Sequence, residues 1–319
     1  MNIVSLKTNI TKIIISAVIV IVLIAITASC GGGNNMNQNT SAYIPRFDMI
    51  SHNNNFYYRL ENNLYLYDWQ NNQKKLLYSA IGKTSDFISD ETNIYFSNNN
   101  KLYAYDLNAN SSKLIYIFES DINICYIYGN YLLLTVNVRG DNILYSKIII
   151  FSLEDYSIKL SLTKETIIWK IAANKEKIFY IMDDKLFSMN YDGSGDIELY
   201  PGMKFEKIIS CNDKELIVII KQIENEIKFK LYIIGNNTIS EIIDYDIKPN
   251  AVISYANNIY FSPLDRHGIY CYKNGKVDII VSDISGDQIS VTDKGIYIYN
   301  VYMKLSYYDF DTQKIYGIN

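Results

Sequence analysis

An all-β repeat fold is predicted by three features of this 319-residue sequence. The stretch 93–106 holds two runs of aromatic and aliphatic residues separated by Ser and Asn, a composition typical of an antiparallel hairpin. Variants of its first apolar triplet occur at six other places, with a spacing near forty residues. No sustained helical periodicity follows residue 43. Four short strands in a forty-residue unit are typical of a β-propeller blade, and we therefore predict seven four-stranded blades.

The seven triplets define the units. Their first residues are Phe56, Ile94, Tyr131, Ile178, Leu216, Ile259 and Ile296. The middle residues of successive triplets are 38, 37, 47, 38, 43 and 37 residues apart. In three units a second apolar run follows, and its residue Tyr65, Tyr103 or Phe187 lies eight residues after the middle residue of the triplet. These recurring distances predict one repeating domain over residues 43–319.

The third and fifth units are the irregular ones. Inserts at 137–145 and 222–226 separate their second and third predicted strands. We interpret the inserts as longer hairpins that project past the rim of the blade. Loops carried by a rigid scaffold often have functional roles, and tolerated insertions in surface loops are the alternative.

The two ends of the ring need protection, because open strand edges invite aggregation. We expect the ends to meet, with the segment 43–50 contributing a strand near the C-terminal blade. A cut at each blade boundary is the alternative.

Residues 1–29 predict a targeting segment. Lys7 and Lys12 precede an uncharged apolar run at 13–26, and small residues follow before Cys30. This order is typical of a secretory signal peptide. A membrane-spanning anchor helix is the alternative, although the run is shorter than the roughly 20 residues that a span usually needs.

The residues Ala28-Ser29-Cys30 resemble a bacterial lipobox, with Thr27 at the position usually held by Leu. The resemblance implies a lipoprotein of the cell envelope in which Cys30 carries palmitate-type acyl chains and becomes the new N-terminus. Two or three acyl chains attach a protein stably to a membrane. Residues 30–42 are rich in Gly and Asn and predict a flexible tether between the anchor and the propeller.

The net charge argues against binding to nucleic acid or anionic lipid, and the cysteine spacing argues against a structural zinc site. The formal charge is -4, and loss of Lys7 and Lys12 with the signal peptide changes it to -6. A mildly acidic protein lacks the basic surface that attracts nucleic acid or anionic lipid headgroups. The remaining cysteines are Cys125, Cys211 and Cys271, with no Cys-x-x-Cys motif, so that a structural zinc site is not predicted. We interpret them as small buried hydrophobic residues.

Candidate site residues are few. Asp265, Arg266 and His267 form the most polar cluster on any repeat turn and are the candidates for binding, with a solvated turn as the alternative. The sequence lacks a Gly-x-Ser-x-Gly nucleophile elbow. The run 192–196 alternates oxygen ligands, but an EF-hand loop requires Glu at its twelfth position, where this chain has Met203. We therefore predict a turn there, no catalytic residues, no metal site and no cofactor.

The unit at 185–195 resembles the repeat of a known family. Its sequence is Lys-Leu-Phe-Ser-Met-Asn-Tyr-Asp-Gly-Ser-Gly, in which a strand ending in Met-Asn leads into an Asp-Gly turn. It is similar to the repeat of bacterial lipoproteins whose propeller is related to that of the low-density-lipoprotein-receptor family. The Tyr-Trp-Thr-Asp tetrapeptide of the receptor propellers is absent. The resemblance implies a propeller at the cell surface and implies no catalytic residues.

Three functions are compatible with these features. The first is a lipid-anchored extracytoplasmic propeller that binds a protein or glycan partner without catalysis. The second is an envelope enzyme acting on carbohydrate or peptide at the propeller channel, which requires carboxylates or histidines that converge at the channel mouth. The third is a scaffold subunit of an envelope complex, a hypothesis that rests on fold analogy alone.

Overall fold

The computed structural model describes residues 49–52, 55–60, 63–68, 73–79, 87–90, 92–139, 144–211, 215–223, 227–235, 238–243, 246–300 and 304–318. Every regular element in these ranges is a β-strand, which confirms the all-β prediction. A search of the same ranges finds no helix with the length and apolarity needed to cross a membrane. The predicted signal peptide, Cys30 and the tether lie outside the described residues.

The strands form seven four-stranded antiparallel sheets, each made of strands that are consecutive in sequence, which confirms the seven predicted blades. The strands of blades one and two are β1 (Met49–His52), β2 (Asn55–Leu60), β3 (Asn63–Asp68), β4 (Gln73–Ser79), β5 (Phe87–Ser89), β6 (Asn93–Asn98), β7 (Lys101–Asp106) and β8 (Ser111–Ile117). Those of blades three and four are β9 (Ile122–Tyr128), β10 (Tyr131–Arg139), β11 (Leu144–Ser152), β12 (Ser157–Lys164), β13 (Ile168–Ala173), β14 (Ile178–Met182), β15 (Lys185–Met189) and β16 (Ile197–Leu199). Those of blades five and six are β17 (Phe205–Cys211), β18 (Glu215–Ile223), β19 (Ile227–Gly235), β20 (Thr238–Glu241), β21 (Ile247–Tyr255), β22 (Asn258–Pro263), β23 (Ile269–Lys273) and β24 (Lys276–Val281). Blade seven contains β25 (Gln288–Val291), β26 (Gly295–Asn300), β27 (Lys304–Asp309) and β28 (Lys314–Ile318).

The apolar triplets explain why the blades form. Each triplet lies in the second strand of its blade, where both faces of the sheet are covered by neighbouring blades. In β6, for example, Ile94 and Phe96 are completely buried. A turn at Asn99 and Asn100 then leads to β7, within the predicted turn region, and Asn99 adopts a φ of 55°. Asn tolerates this left-handed conformation better than most residues.

The antiparallel strand order gives each blade two edges. We call upper the edge that carries the turn between the second and third strands and the connection to the next blade. The lower edge carries the other two turns of each blade. Backbone hydrogen bonds join neighbouring segments of the upper edge, as between Leu264 N and Asp246 O at 2.8 Å.

Hydrophobic packing occurs between the blades. Seven hydrophobic clusters are found among the described residues, and each joins two neighbouring blades, including the first and the last. The ring is therefore closed by side-chain packing, which is the main favourable contribution to folding.

Of the two cysteines with described side chains, one is buried as predicted. Cys271 is buried in the cluster between blades six and seven, as predicted. Cys125 is only half-buried, and its Sγ lies 3.5 Å from Thr135 Oγ1. The side chain of Cys211 lies outside the described residues.

The first and last blades meet without sharing a sheet. β1 pairs with β2 in its own blade and lies against β25 of blade seven. The expected meeting of the two ends is confirmed. Of the segment 43–50, residues 43–48 lie outside the described residues, and Met49 and Ile50 belong to β1 of blade one, so the ring is cut at each blade boundary, as in the alternative. The rings of Phe56 and Tyr297 stack across this junction, with centroids 3.8 Å apart and an interplanar angle of 8°. Aromatic packing takes the place of strand exchange here.

Candidate functional site

Two hairpins extend the upper edge of the ring. β10, β11, β18 and β19 each have nine residues, whereas the second and third strands of the other blades have five or six. The extra residues lie at the upper ends of these strands and add about 10 Å at roughly 3.3 Å per residue. We call β10–β11 hairpin three and β18–β19 hairpin five. The predicted longer hairpins of these two blades are confirmed.

Hairpin three presents a polar side to blade four. Ser146 Oγ donates a hydrogen bond to Asn137 Oδ1 at 2.5 Å, and it accepts one from the backbone N of Ile168 in blade four at 2.9 Å. These bonds link the two strands of the hairpin and fix the hairpin to the next blade. Hairpin three is therefore an ordered wall at the upper edge.

Hairpin five also carries polar residues on its side toward blade four. Gln222 Nε2 donates to Tyr232 OH at 3.1 Å, and this hydroxyl donates to Glu241 Oε2 at 3.0 Å. Burial, followed by the hydrogen bond to Glu241, raises the pKa of the Tyr232 phenol. The protonated phenol thus links Gln222 to Glu241 in one chain of hydrogen bonds.

The opposite side of hairpin three faces blade two and forms a cleft. β6 and β7 of blade two have six residues each and do not cover the upper part of the nine-residue strands β10 and β11. The cleft has a volume of about 280 Å³. Its apolar lining comes mainly from Tyr116, Phe118, Val136, Ile149 and Ile158.

Four polar side chains also line the cleft, namely those of Glu119, Ser120, Lys147 and Ser161. In the described part of the chain, none of these four side chains makes a hydrogen bond or an ion pair. Glu119 and Lys147 carry opposite charges, and Lys147 is half-buried. The fold does not use these groups, so they are available to a ligand.

The wall that blade two contributes to the cleft is held by a turn of the same blade. Asn100 Nδ2 donates to Phe118 O at 2.7 Å, and Phe118 N donates to Asn100 O at 2.8 Å. Ile122 N donates to Asn99 O at 3.1 Å. The rings of Tyr116 and Phe118 pack together with centroids 4.7 Å apart. Because both backbone and side-chain bonds fix this connection, the cleft is preformed.

The side of hairpin five that faces blade six leaves apolar residues uncovered. Ile217 and Ile219 on this side are buried against blade six. Ile223 lies on the same side of β18, since side chains alternate along a strand, and it pairs with Ile227 of β19. Both are 53% exposed. The hairpin therefore ends in an exposed apolar pair.

Asp246 connects hairpin five to the neighbouring turn of blade six. Phe229 N donates to Asp246 Oδ1 at 2.6 Å, and Leu264 N donates to Asp246 O at 2.8 Å. Leu264 is 49% exposed and directly precedes the turn 265–267. The apolar end of hairpin five and this turn thus belong to one continuous part of the upper edge.

Asp265, Arg266 and His267 are exposed on that turn. Arg266 Nε lies 3.7 Å from Asp265 Oδ2, and His267 Nδ1 lies 3.4 Å from Ser285 Oγ. None of the three lines the cleft between blades two and three. The structure places them beside hairpin five, and their role in binding stays a prediction.

Groups suited to metal binding are scarce. No group of three or more His, Cys, Asp or Glu residues that could hold a metal ion is found within the described ranges. The run 192–196 forms the predicted turn, in which Asp192 Oδ1 accepts hydrogen bonds from Ser194 Oγ at 2.7 Å and Ser194 N at 2.9 Å. These two bonds lower the pKa of Asp192. Asp192 Oδ1 is thus occupied by the turn itself.

The sequence interpretation missed the cleft between blades two and three. It identified the long insert of blade three but not the cleft beside the hairpin that the insert forms. The relevant signal is the contrast between successive steps of 37 and 47 residues, which places a short unit beside a long one. Glu119 and Lys147 are 28 residues apart and carry no common motif, so only the fold brings them to one cleft.

The chain matches no family model and no curated protein. Among solved structures it is similar to the acylaminoacyl peptidase of Pyrococcus horikoshii, with a TM-score of 0.64 and 13% identity, covering 85% of this chain and 51% of that chain. It is also similar to the β-propeller domain of the Trilobed protease from Pyrococcus furiosus, with a TM-score of 0.61 and 14% identity, covering 86% of this chain and 97% of that chain. The latter is described as having an open velcro topology.

A third similar structure is the extracellular domain of a protein described as a one-component system of B. thetaiotaomicron. The TM-score is 0.52 at 13% identity, covering 79% of this chain and 36% of that chain. The present chain spans about half the length of the acylaminoacyl peptidase and nearly all of the isolated propeller domain. Peptidase propellers and an extracellular domain are thus both among the similar folds, and at these identities the similarity shows the fold alone: a seven-bladed β-propeller.

Proposed function

We propose that this protein is a lipid-anchored, extracytoplasmic propeller that binds a protein or glycan partner through its upper edge and catalyses no reaction. One observation carries the proposal: both extended hairpins rise from the same edge beside exposed apolar residues. Hairpin five ends in the exposed pair Ile223 and Ile227, and hairpin three borders a cleft that is also lined by the exposed Ile117 and Ile158. Exposed apolar residues rimmed by polar groups are typical of interaction sites. The turn 265–267 adds charged groups to the same edge.

The anchor and the cellular location rest on the N-terminal sequence. Cys30 follows an apolar run and small residues, and a Gly- and Asn-rich segment separates it from the first strand. A propeller on such a tether can reach partners at the membrane surface or beyond it. The extracellular domain among the similar folds is compatible with this location.

Crosslinking in the cells of origin tests the binding proposal. The tagged full-length protein is crosslinked and the captured molecules are identified. The variant Ile223→Ser/Ile227→Ser removes the apolar end of hairpin five, and Tyr131→Ser/Tyr156→Ser is the matched control, because these two lower-edge tyrosines are 38% and 42% exposed. We expect a reproducible partner that is lost with the first variant and kept with the second. Equal capture by both variants and the wild type would contradict a binding role for this edge.

Membrane fractionation tests the anchor. We expect Cys30→Ala to release the protein from the membrane fraction or to leave it as an unprocessed precursor, because the acylated residue is missing. A variant that is still cleaved and still bound to the membrane would show that Cys30 is not the anchor.

A further inference from the structure

We propose that the cleft between blades two and three binds an extended peptide segment by enclosing one large apolar side chain, with a charged residue of the peptide on either side of it. The inference rests on the proposed binding function of the upper edge and specifies the chemistry of the partner. It concerns a different part of that edge from hairpin five and can therefore be tested separately.

The size of the cleft and the two exposed isoleucines in its lining, Ile117 and Ile158, favour an apolar side chain. A volume of about 280 Å³ lies at the lower limit of the pockets that hold drug-sized ligands, roughly 300–1,000 Å³. Phe118 and Ile149 are buried at the base of the cleft, and Tyr116 is half-buried beside them. A single Leu, Ile, Met or Phe side chain would fit this volume and cover the exposed side chains of Ile117 and Ile158.

The two charged side chains of the cleft favour a ligand with a basic and an acidic residue beside its apolar one. Neither Glu119 nor Lys147 has an ion-pair partner in the described part of the chain. A ligand that places a basic group near Glu119 and an acidic group near Lys147 would satisfy both charges. Charge complementarity of this kind favours the correct orientation and partner more than it adds to affinity.

The surroundings of the cleft favour a peptide over a compact small molecule. The apolar lining continues outward to Ile117, which is 56% exposed at the upper end of β8. β8 is the outermost strand of its sheet, and no further described strand pairs with its outer edge. An extended peptide can bond to such an edge through its backbone while alternate side chains turn toward the cleft.

Selection from a displayed library of random peptides tests the inference, with the full-length protein in detergent as the target. We expect the selected peptides to share one large apolar residue with an acidic and a basic residue close to it. Ser161→Trp fills the cleft from an exposed position, and we expect it to weaken binding at least about tenfold, a loss within the range of interface hot spots. Lys147→Glu should weaken binding of the selected peptides and favour peptides with a basic residue in place of the acidic one.

Two controls separate cleft binding from unfolding and from a general charge effect. Lys101 is an exposed lysine on the same edge that does not line the cleft, so Lys101→Glu should leave peptide binding unchanged. Thermal unfolding of Ser161→Trp and Lys147→Glu should match that of the wild type, because neither side chain makes a hydrogen bond or ion pair in the described residues.

Several outcomes would overturn the inference. These are the absence of enriched peptides, enriched peptides that bind Ser161→Trp and Lys147→Glu as tightly as the wild type, and a glycan panel that binds where no peptide does. If cellular capture depends on hairpin five while the cleft variants have no effect, the peptide inference fails and the proposed function stands. If capture depends on neither, both fail.

Discussion

The junction between blades seven and one and the junction between blades two and three are both built from aromatic and aliphatic strands, yet only the second leaves a cleft. At the first junction, β2, β3, β26 and β27 all have six residues, and the rings of Phe56 and Tyr297 stack in full burial. At the second, six-residue strands of blade two face nine-residue strands of blade three. The two junctions thus differ in strand length: strands of equal length face each other at the first, the sealed junction, and the longer strands extend past their neighbours beside the cleft at the second.

One junction closes the ring, and the other borders the cleft that we propose as a binding site. A buried aromatic pair at the sealed junction contributes to closure of the ring. The upper part of hairpin three lies away from this closure, and on its side toward blade two Lys147 makes no hydrogen bond or ion pair in the described part of the chain. Substitutions at the two junctions should therefore have different consequences for stability and for binding.

Removing the stacked ring at the sealed junction should have the largest effect. We expect Tyr297→Ala to lower the free energy of unfolding by about 3–5 kcal/mol, the range for loss of a large aromatic side chain from a core. Tyr116→Ala at the cleft should cost less than half of that, because Tyr116 is only half-buried. Urea unfolding of both variants tests the difference. Similar losses would show that the cleft junction carries as much of the packing energy as the closure.

Alkaline pH should have the second-largest effect on the free energy of unfolding, through a tyrosine at the sealed junction. Burial, followed by the neighbouring phenols of Tyr65 and Tyr67, raises the pKa of Tyr58 to about 12. The phenol titrates near 10 in the unfolded chain. The folded state thus favours the protonated form, and this stabilisation is complete below about pH 10 and is lost as the pH rises from 10 toward 12.

The loss through Tyr58 should amount to at most about 1 kcal/mol per pH unit after allowance for solvent screening. Urea unfolding at several pH values between 8 and 11 measures it, and Tyr58→Phe should reduce the slope above pH 10. An unchanged slope in the variant would mean that other tyrosines account for the alkaline loss.

Loosening the wall of the cleft should have a smaller effect. Asn100→Ala removes the side-chain hydrogen bond to Phe118 O and should cost about 1 kcal/mol, the usual net value of such a bond. Hydrogen exchange should become faster at the amides of residues 118–122, while exchange in blade seven stays the same. Uniformly faster exchange across all blades would indicate that Asn100 supports the whole ring rather than this wall.

Much of this architecture could be predicted from sequence, and the reason is visible in the second strands. Triplets such as Ile94-Tyr95-Phe96 must be apolar on both faces, because a blade is covered on both sides, and that requirement repeats in every unit. The insert of blade three could be located because it interrupts the spacing. Hence the fold and the position of the long hairpins are readable from local patterns.

The cleft itself could not be predicted in this way. Its charged groups, Glu119 and Lys147, belong to a connection and to a long strand of different blades, and each resembles an ordinary surface residue in the sequence. Whether a sheet face is covered depends on the relative lengths of two neighbouring units, which no single motif reports. The binding role of Asp265, Arg266 and His267, which sequence did single out, remains a prediction because their surroundings show an exposed turn with local contacts.

Removal of one oxygen atom from each of two matched tyrosines should distinguish the two junctions, and the variant at the sealed junction should show the smallest effect of all. Tyr95 and Tyr297 occupy the middle position of the triplet in blades two and seven, so they form a matched pair. Tyr95 OH donates to Asp90 Oδ2 at 2.6 Å, whereas the hydroxyl of Tyr297 has no hydrogen-bond partner among the described residues and is fully buried. A buried hydroxyl without a partner carries a desolvation cost that its removal relieves.

We therefore expect Tyr95→Phe to lower the free energy of unfolding by about 1–2 kcal/mol, since it removes a hydrogen bond to a charged group. Tyr297→Phe should leave it unchanged or raise it by up to about 1 kcal/mol. Urea unfolding of the two variants under one buffer condition provides the comparison. A loss of more than about 1 kcal/mol for Tyr297→Phe would mean that an ordered water satisfies this hydroxyl inside the sealed junction. In that event the closure would depend on a polar contact as well as on the stacked rings, and the contrast between the two junctions would lie in their strand lengths alone.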